Sequence, residues 1–473
     1  MSAVIRTHCD AAIVAAQRVE PGRSARIVLV TAILASSLDF IDGSVLNVGL
    51  PAIAKDLAVD GGNLPWIYNI YLLPLTALLL VGGAAGDRFG RRSLMIAGTA
   101  IFAVALVPCA IAPNLFWLLL GRAVQGIGAA MVLPNSLAIL GATYSGVAKG
   151  RAIGIWAAAS SVATAIGPVI GGRLIDMFSW RAIFLMEIPI ALVTLALAWA
   201  LPNDRPEKAK APLDIGGAAL ATLGIGALIW SLTIGAGPAG WTHFSVAALC
   251  GGLAFLALFV LFEHRLADRA IMPLALFASE QFVGLTLLTF LLYGPLSLLF
   301  LLVPFLLIGT AGYSAAAAGL AILPFPLLLA AVSPTMGKLA VRVGDRAPLT
   351  IGPIMVALGF QWLAWIIPGQ HYWTTLFPAI VVIALGMACA AAPLTNAVLG
   401  AVDSRHTGAA SGLNSAVAQL GGLVAIALLG GVLASKGPTL VANASIAFAI
   451  AGIVAFGAGM SALTMVGRKR SPR

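Results

Sequence analysis

Gly83-Ala84-Ala85-Gly86-Asp87-Arg88-Phe89-Gly90-Arg91-Arg92 is the sharpest break in hydropathy in the N-terminal half of the chain. Trp66 to Gly82 before it carries no charge, and neither does Ser93 to Trp117 after it. An apolar run of roughly 20 residues spans a bilayer core as a helix. A short arginine-rich loop stays on the cytoplasmic side. The stretch therefore reads as a tight cytoplasmic hairpin between two membrane helices. Glycine allows the sharp turn, and Asp87 is placed to pair with an arginine across it.

Composition extends that reading to the whole chain. Of 473 residues, 60% are hydrophobic and 9% charged, with a mean hydropathy of +1.03. Soluble chains carry about 25% charged residues. The expected class is all-α and polytopic, because a helix satisfies its own backbone groups in lipid. The net charge of +10 does not imply nucleic acid, since the basic residues lie in loops between apolar spans. Cys9, Cys109, Cys250 and Cys389 are scattered, with neither metal-ligand nor disulfide spacing.

Fourteen spans are expected, at roughly 27–50, 65–84, 94–112, 115–140, 152–175, 181–201, 214–235, 243–263, 281–308, 314–336, 348–367, 374–398, 408–433 and 441–466. The loops on the Arg91 side, with both tails, hold 22 of the 27 Lys and Arg; Lys55, Arg173, Arg181 and Lys436 lie opposite. That asymmetry assigns both tails to the cytoplasm. Long polar connections at Pro202–Leu213 and Glu263–Gln281 bracket spans seven and eight. The expected organisation is a tail at 1–26, six helices over 27–201, a linker with two extra helices over 202–280, six helices over 281–466, and a tail at 467–473. The two sixes look related. Gly337, Arg342, Gly344 and Arg346 repeat the spacing of Gly83, Arg88, Gly90 and Arg92, with Val341 replacing the acid. Parallel halves of this kind hold a substrate between them near the midplane.

The hairpin resembles the Gly-x-Leu-Ala-Asp-Arg-x-Gly-Arg-Arg signature of the major facilitator superfamily of transporters. Gly83, Asp87, Arg88, Gly90, Arg91 and Arg92 match, while Ala85-Gly86 stand for Leu-Ala. The resemblance implies a conformational gating loop. Leu118-xxx-Arg122-Ala123-Val124-Gln125-Gly126-Ile127-Gly128-Ala129-Ala130 matches the family's fourth-helix motif, whose arginine is linked to proton transfer. An arginine inside hydrocarbon costs about 2.5–3.5 kcal/mol on insertion scales and needs a partner or water. Arg122 is also near enough to Pro113-Asn114 to snorkel outward.

Gly154-(x8)-Ala163-(x3)-Gly167-Pro168-(x2)-Gly171-Gly172 in span five resembles the antiporter motif that marks exporters, with Ala163 where glycine is frequent. Small residues permit close helix contact, and Pro168 removes one helical hydrogen bond. Asp42-Gly43-Ser44-Val45-Leu46-Asn47-Val48-Gly49-Leu50-Pro51 in span one resembles the first-helix motif of the fourteen-span drug:proton antiporters. Asp39 lies one turn before it, on the same face. Buried acids in a membrane are functional candidates by default, and neighbouring carboxylates titrate together. Asp42 is the first candidate for the proton and Asp39 the second. They could instead cap an irregular turn.

Glu187 has two readings: a second proton carrier, or an interfacial acid paired with Arg181 or Arg173. Asp214 and Glu263 are expected to be solvated at span ends. Trp66, Tyr68, Asn69 and Tyr71 read more as interfacial anchors than as substrate contacts. Asn47, Asn69, Gln125, Asn135, Tyr293 and Asn396 are possible cavity residues, with Asn414 and Gln419 as further polar groups. No His-Glu-x-x-His pair or Walker-type loop is present, so no metal and no cofactor is expected. A membrane-embedded prenyl-transferring enzyme would need a second acidic cluster, which no other span offers. The resemblance implies a proton-driven exporter of small amphiphilic compounds, acting as a monomer in the inner membrane. The nearest alternative is a proton-coupled importer of the same fold. The expected partners are small molecules, protons and lipid.

Overall fold

The computed structural model describes residues 23–202, 214–266, 272, 274–365, 372–402 and 407–467. The helices are α1 (Arg23–Asp56), α2 (Leu64–Phe89), α3 (Arg91–Ala110), α4 (Leu115–Thr143), α5 (Gly146–Met177), α6 (Arg181–Trp199), α7 (Ile215–Gly235) and α8 (His243–Leu266). They continue with α9 (Glu280–Ala311), α10 (Ala315–Ile322), α11 (Pro324–Val343), α12 (Arg346–Ala364), α13 (Leu376–Gly400), α14 (Thr407–Ala427), α15 (Gly430–Ala434) and α16 (Gly437–Met465). Among the described residues fourteen helices are long and apolar enough to cross a membrane, and no strand occurs. The protein is a multi-pass membrane protein. Two spans are each built from a pair of helices. The tenth breaks where Pro324 follows Leu323, because proline cannot donate the hydrogen bond that would continue α10. The thirteenth breaks at Leu428–Leu429, between α14 and α15.

The repeat seen in the hairpins is geometric as well. Gly90 and Gly344 end α2 and α11 with φ of 94° and 89°, a region that favours glycine. Arg92 donates to the carbonyls of Ala198 (3.4 Å) and Trp199 (2.6 Å) at the end of α6. Arg346 donates to the Leu463 carbonyl near the end of α16. In each six, the hairpin arginine thus satisfies carbonyls at the end of the last helix, where intrahelical partners run out. The packing repeats too. α1–α5, α2–α4, α3–α4 and α3–α6 correspond to α9–α14, α11–α13, α12–α13 and α12–α16. Gly98 abuts the Gly128 carbonyl where α3 crosses α4, and Gly352 abuts the Gly386 carbonyl where α12 crosses α13.

The two sets of helices meet through α2 against α14, α5 against α10, and α1 against α9. α8 packs on α7, which packs in turn on α2 and α14. Asp214 and Glu263, expected to be solvated, are buried between these two helices. Asp214 accepts the Gly217 N–H (2.7 Å), and Glu263 accepts the Met272 N–H (2.7 Å). Each carboxylate thus satisfies a backbone donor that the fold has taken out of water.

Candidate functional site

Three helices of the first set bring charge together in the apolar interior. Asp39 and Asp42 lie one turn apart on α1; Arg122 and Gln125 lie one turn apart on α4. Arg122 is fully buried, and Asp42 is 3% exposed. Arg122 Nη1 lies 2.6 Å from both carboxylate oxygens of Asp42. It also donates to Gln125 Oε1 at 2.8 Å, and Gln125 Nε2 donates to Asp42 Oδ1 at 2.9 Å. Arg122 Nε donates to the Ile67 carbonyl at 3.3 Å, and the guanidinium lies 4.2 Å from the centre of the Tyr71 ring. Small residues bring the helices close enough for this. Any side chain at Gly126 would strike the backbone of Tyr71, and one at Gly121 would strike Cys109. Arg122 is therefore not a snorkelling residue. Its charge is matched inside, as burial demands.

Two buried atoms of the cluster have no hydrogen-bond partner: Arg122 Nη2 and Glu187 Oε2. Glu187, on α6, is 1% exposed and within electrostatic reach of Asp42, Arg122 and Asp39. It does not pair with Arg181, which binds Asp56 at 2.6 Å at the far end of α1.

Asp39 differs from Asp42. Tyr71 donates its hydroxyl to Asp39, and both line a cavity of about 210 Å³ between the two sets of helices. α1, α2 and α5 contribute Phe40, Asn47, Tyr68 and Thr164; the other set contributes Ser297, Phe300, Ile322 and Gln419. Tyr68 and Tyr71, expected as interfacial anchors, thus face the cavity, and Tyr68 donates to the Gly43 carbonyl at 2.7 Å. Their aromatic character suits an interface and a cavity equally well, and hydropathy does not separate the two. Of the six polar residues expected at a cavity, Asn47 lines this one. Gln125 serves the ion pair, and Asn135 donates to the Gly82 and Met131 carbonyls (2.9 and 2.8 Å). Asn69 is buried, Tyr293 packs against the apolar core, and Asn396 is exposed.

The glycine row of α5 divides between two faces. Gly167 meets Ser44 and Val45 of α1, and Gly171 meets Val45. Gly172 meets the backbone of Ala315 on α10, and Pro168 meets Gly319 there. Ala163 lines a separate apolar crevice with Ile41, Ile166 and Ile170, while Gly154 touches nothing across helices. In the hairpin, Asp87 is 57% exposed in its side chain and pairs with Arg91 at 2.8 Å. Arg91 also reaches the Ala138 carbonyl (3.2 Å), and Arg88 lies over the Phe89 ring. Gly83 leaves room for Pro134 of α4.

Residues 32–310 and 285–473 match the model of the Major Facilitator Superfamily. The chain belongs to that superfamily. It is a transporter rather than an enzyme. The Methylenomycin A resistance protein of Bacillus subtilis is 33% identical to it, over 91% of this chain and 91% of its own length. The Cephamycin export protein CmcT of Amycolatopsis lactamdurans is 33% identical over 86% of this chain and 84% of its own. The Multidrug resistance protein Stp of Mycobacterium tuberculosis is 32% identical over 87% and 76%. Among solved structures, the peptide transporter POT in complex with sulfate superposes with a TM-score of 0.70, covering 94% of this chain and 95% of that one. At 17% identity that likeness concerns the fold alone.

Proposed function

We propose that this transporter exports small amphiphilic compounds of the antibiotic class from the cytoplasm, driven by inward proton flow. The observation that carries the proposal is the buried Asp42–Arg122–Gln125 cluster one helical turn from Asp39 on the cavity wall. The resistance and export relatives support the direction of transport. The arginine-rich hairpin face, with both tails, is assigned to the cytoplasm of an inner-membrane protein. The boundaries 27–201, 202–280 and 281–466 are proposed as two rocking six-helix units with two helices between them, working as a monomer.

Asp42 binds Arg122 while ionised. A proton on Asp42 cancels that attraction and frees the guanidinium. Glu187 then offers a second carboxyl oxygen to the guanidinium within the same cluster, because Arg122 Nη2 and Glu187 Oε2 are both unpartnered in the present arrangement. Moving Arg122 between two acids on α1 and α6 changes how α4 sits against them. That links protonation to the rocking of the first six helices. Asp39 meets the substrate from the cavity wall. The test is transport in proteoliposomes with an imposed pH gradient, using antimicrobials and dyes that the gene renders harmless to an efflux-deficient host. Accumulation that follows the gradient and collapses with a protonophore is expected. Transport indifferent to the gradient refutes the proposal.

A further inference from the structure

At the bundle end opposite the Asp87 hairpin, the last turn of α5 carries an acid that the proton cluster does not use. Asp176 is exposed, on the helix that bears the Gly-Pro-x-x-Gly-Gly run. Its Oδ1 accepts the N–H of Ala315 at 3.0 Å, and its Oδ2 accepts the N–H of Ala316 at 3.0 Å. These are the first two donors of α10, which belongs to the other set of helices. The next two are met locally: Ala317 donates to Ser314 Oγ (3.2 Å) and Ala318 to the Ser314 carbonyl (3.0 Å). The first donors of a helix have no intrahelical acceptor, and an anion is favoured there by the helix dipole. So the cap of α10 is completed by a carboxylate borne on the opposite half.

Directly beneath this cap the two helices touch backbone to backbone. A side chain at Gly172 would meet the Ala315 carbonyl carbon at 2.6 Å, and one at Gly319 would meet the Pro168 carbonyl carbon at 2.7 Å. Pro168 and Gly319 also line the cavity. The bidentate cap and the glycine contact therefore form a lid on that end of the cavity.

We propose that Asp176 is a latch that holds the external end of the transporter closed, released whenever the halves part there. The proposal rests on the rocking and the membrane orientation proposed above. An exposed cap can be made and broken within a transport cycle because water takes over both N–H groups once the carboxylate leaves. A capping acid replaced by alanine typically shifts a helix equilibrium by about two- to thirtyfold. The same range is the expected shift toward the externally open state.

The test uses the full-length protein freed of its native cysteines, with Ser297→Cys as a reporter on the cavity wall. A membrane-impermeant maleimide is applied from the external face. Asp176→Ala should raise the labelling rate about two- to thirtyfold, and Asp176→Glu should stay closer to the parent. Gly319→Ala, which forces the contact apart without touching the carboxylate, should also raise it. As a check independent of folding after acid removal, Asp176→Cys paired with Ala316→Cys should stop transport on oxidation and restore it on reduction. Parental labelling by a folded Asp176→Ala protein, or full transport by the oxidised pair, overturns the latch. Faster labelling in a protein whose transport ignores the pH gradient keeps the latch and overturns the proton-driven reading instead.

Discussion

Replacing Asp42 by asparagine separates the two things the buried cluster does: hold α1 to α4, and respond to a proton. Removing one member of a buried ion pair typically costs about 3–5 kcal/mol. Asparagine keeps a carbonyl for Arg122, and Gln125 stays as a neighbour, so the lower end applies. About 3 kcal/mol is a factor of more than one hundred in an equilibrium constant. Arg122→Gln should cost a similar amount, since it leaves the buried Asp42 carboxyl without its counter-charge and with Gln125 as its remaining donor. In the double variant neither charge is stranded, and three amides can bond one another. The expected double-mutant cycle is strongly non-additive, with about 2–3 kcal/mol recovered relative to the sum of the single losses. The assay is reversible unfolding in mixed micelles, run beside uptake in proteoliposomes. Neither Asp42→Asn nor the double variant should accumulate substrate against a gradient, although the double variant regains stability. Additive stability losses would show that the pair contributes no coupling. Gradient-driven transport by Asp42→Asn would remove the proton from this site.

The hairpin and the orientation give two further expectations. Asp87→Asn abolishes the 2.8 Å pair with Arg91 on a mostly exposed surface, so stability should change by less than about 1 kcal/mol; if the hairpin gates the cycle, as its resemblance to the family signature implies, transport should nonetheless fall several-fold, and near-normal initial rates would reduce the loop to a topological marker. Single cysteines at Lys338 and Gly437, in a cysteine-free background, should respectively resist and react with an impermeant thiol reagent in intact cells; labelling at Lys338 from outside would reverse the orientation drawn from the arginines.

The spans were legible because hydropathy reads composition, and a bilayer demands composition above all. The hairpin arginines were legible for the same reason. Hydropathy does not read which face of a helix meets which neighbour. Arg122 showed its cost in the sequence, but its partner stands 80 positions away, and only the crossing of α1 with α4 joins them. Glu187 read in sequence either as a second proton carrier or as an interfacial acid beside Arg181 or Arg173; it lies within electrostatic reach of the cluster while Arg181 takes Asp56. Asn135 and Asn396 look equally polar in sequence. One bonds across a helix crossing and the other faces out. Asp176 gave no signal at all, since its partners lie 139 and 140 positions away and are backbone groups of alanines.

The repeat is symmetric in backbone and asymmetric in chemistry. Gly90 and Gly344, Arg92 and Arg346, and the Gly98–Gly128 and Gly352–Gly386 crossings all correspond. The buried polar groups do not. Among the described residues, α1 to α6 bury Asp42, Arg122, Gln125 and Glu187, whereas α9 to α16 bury only Thr289 and Ser461. A buried charge is costly and is kept where it has work. On the proposed cycle, the first six helices carry the proton and the second six supply an uncharged wall against which they rock. The contacts across the interface then have to be soft enough to break. Those found here are glycine crossings, aromatic and aliphatic cavity walls, and one exposed carboxylate over a helix end. Had an ion pair like Asp42–Arg122 spanned the halves, each turnover would have to strand a charge in lipid at a cost of about 3–5 kcal/mol. Placing that pair within one half means that parting the halves does not by itself break it, and leaves protonation as the event that opens it.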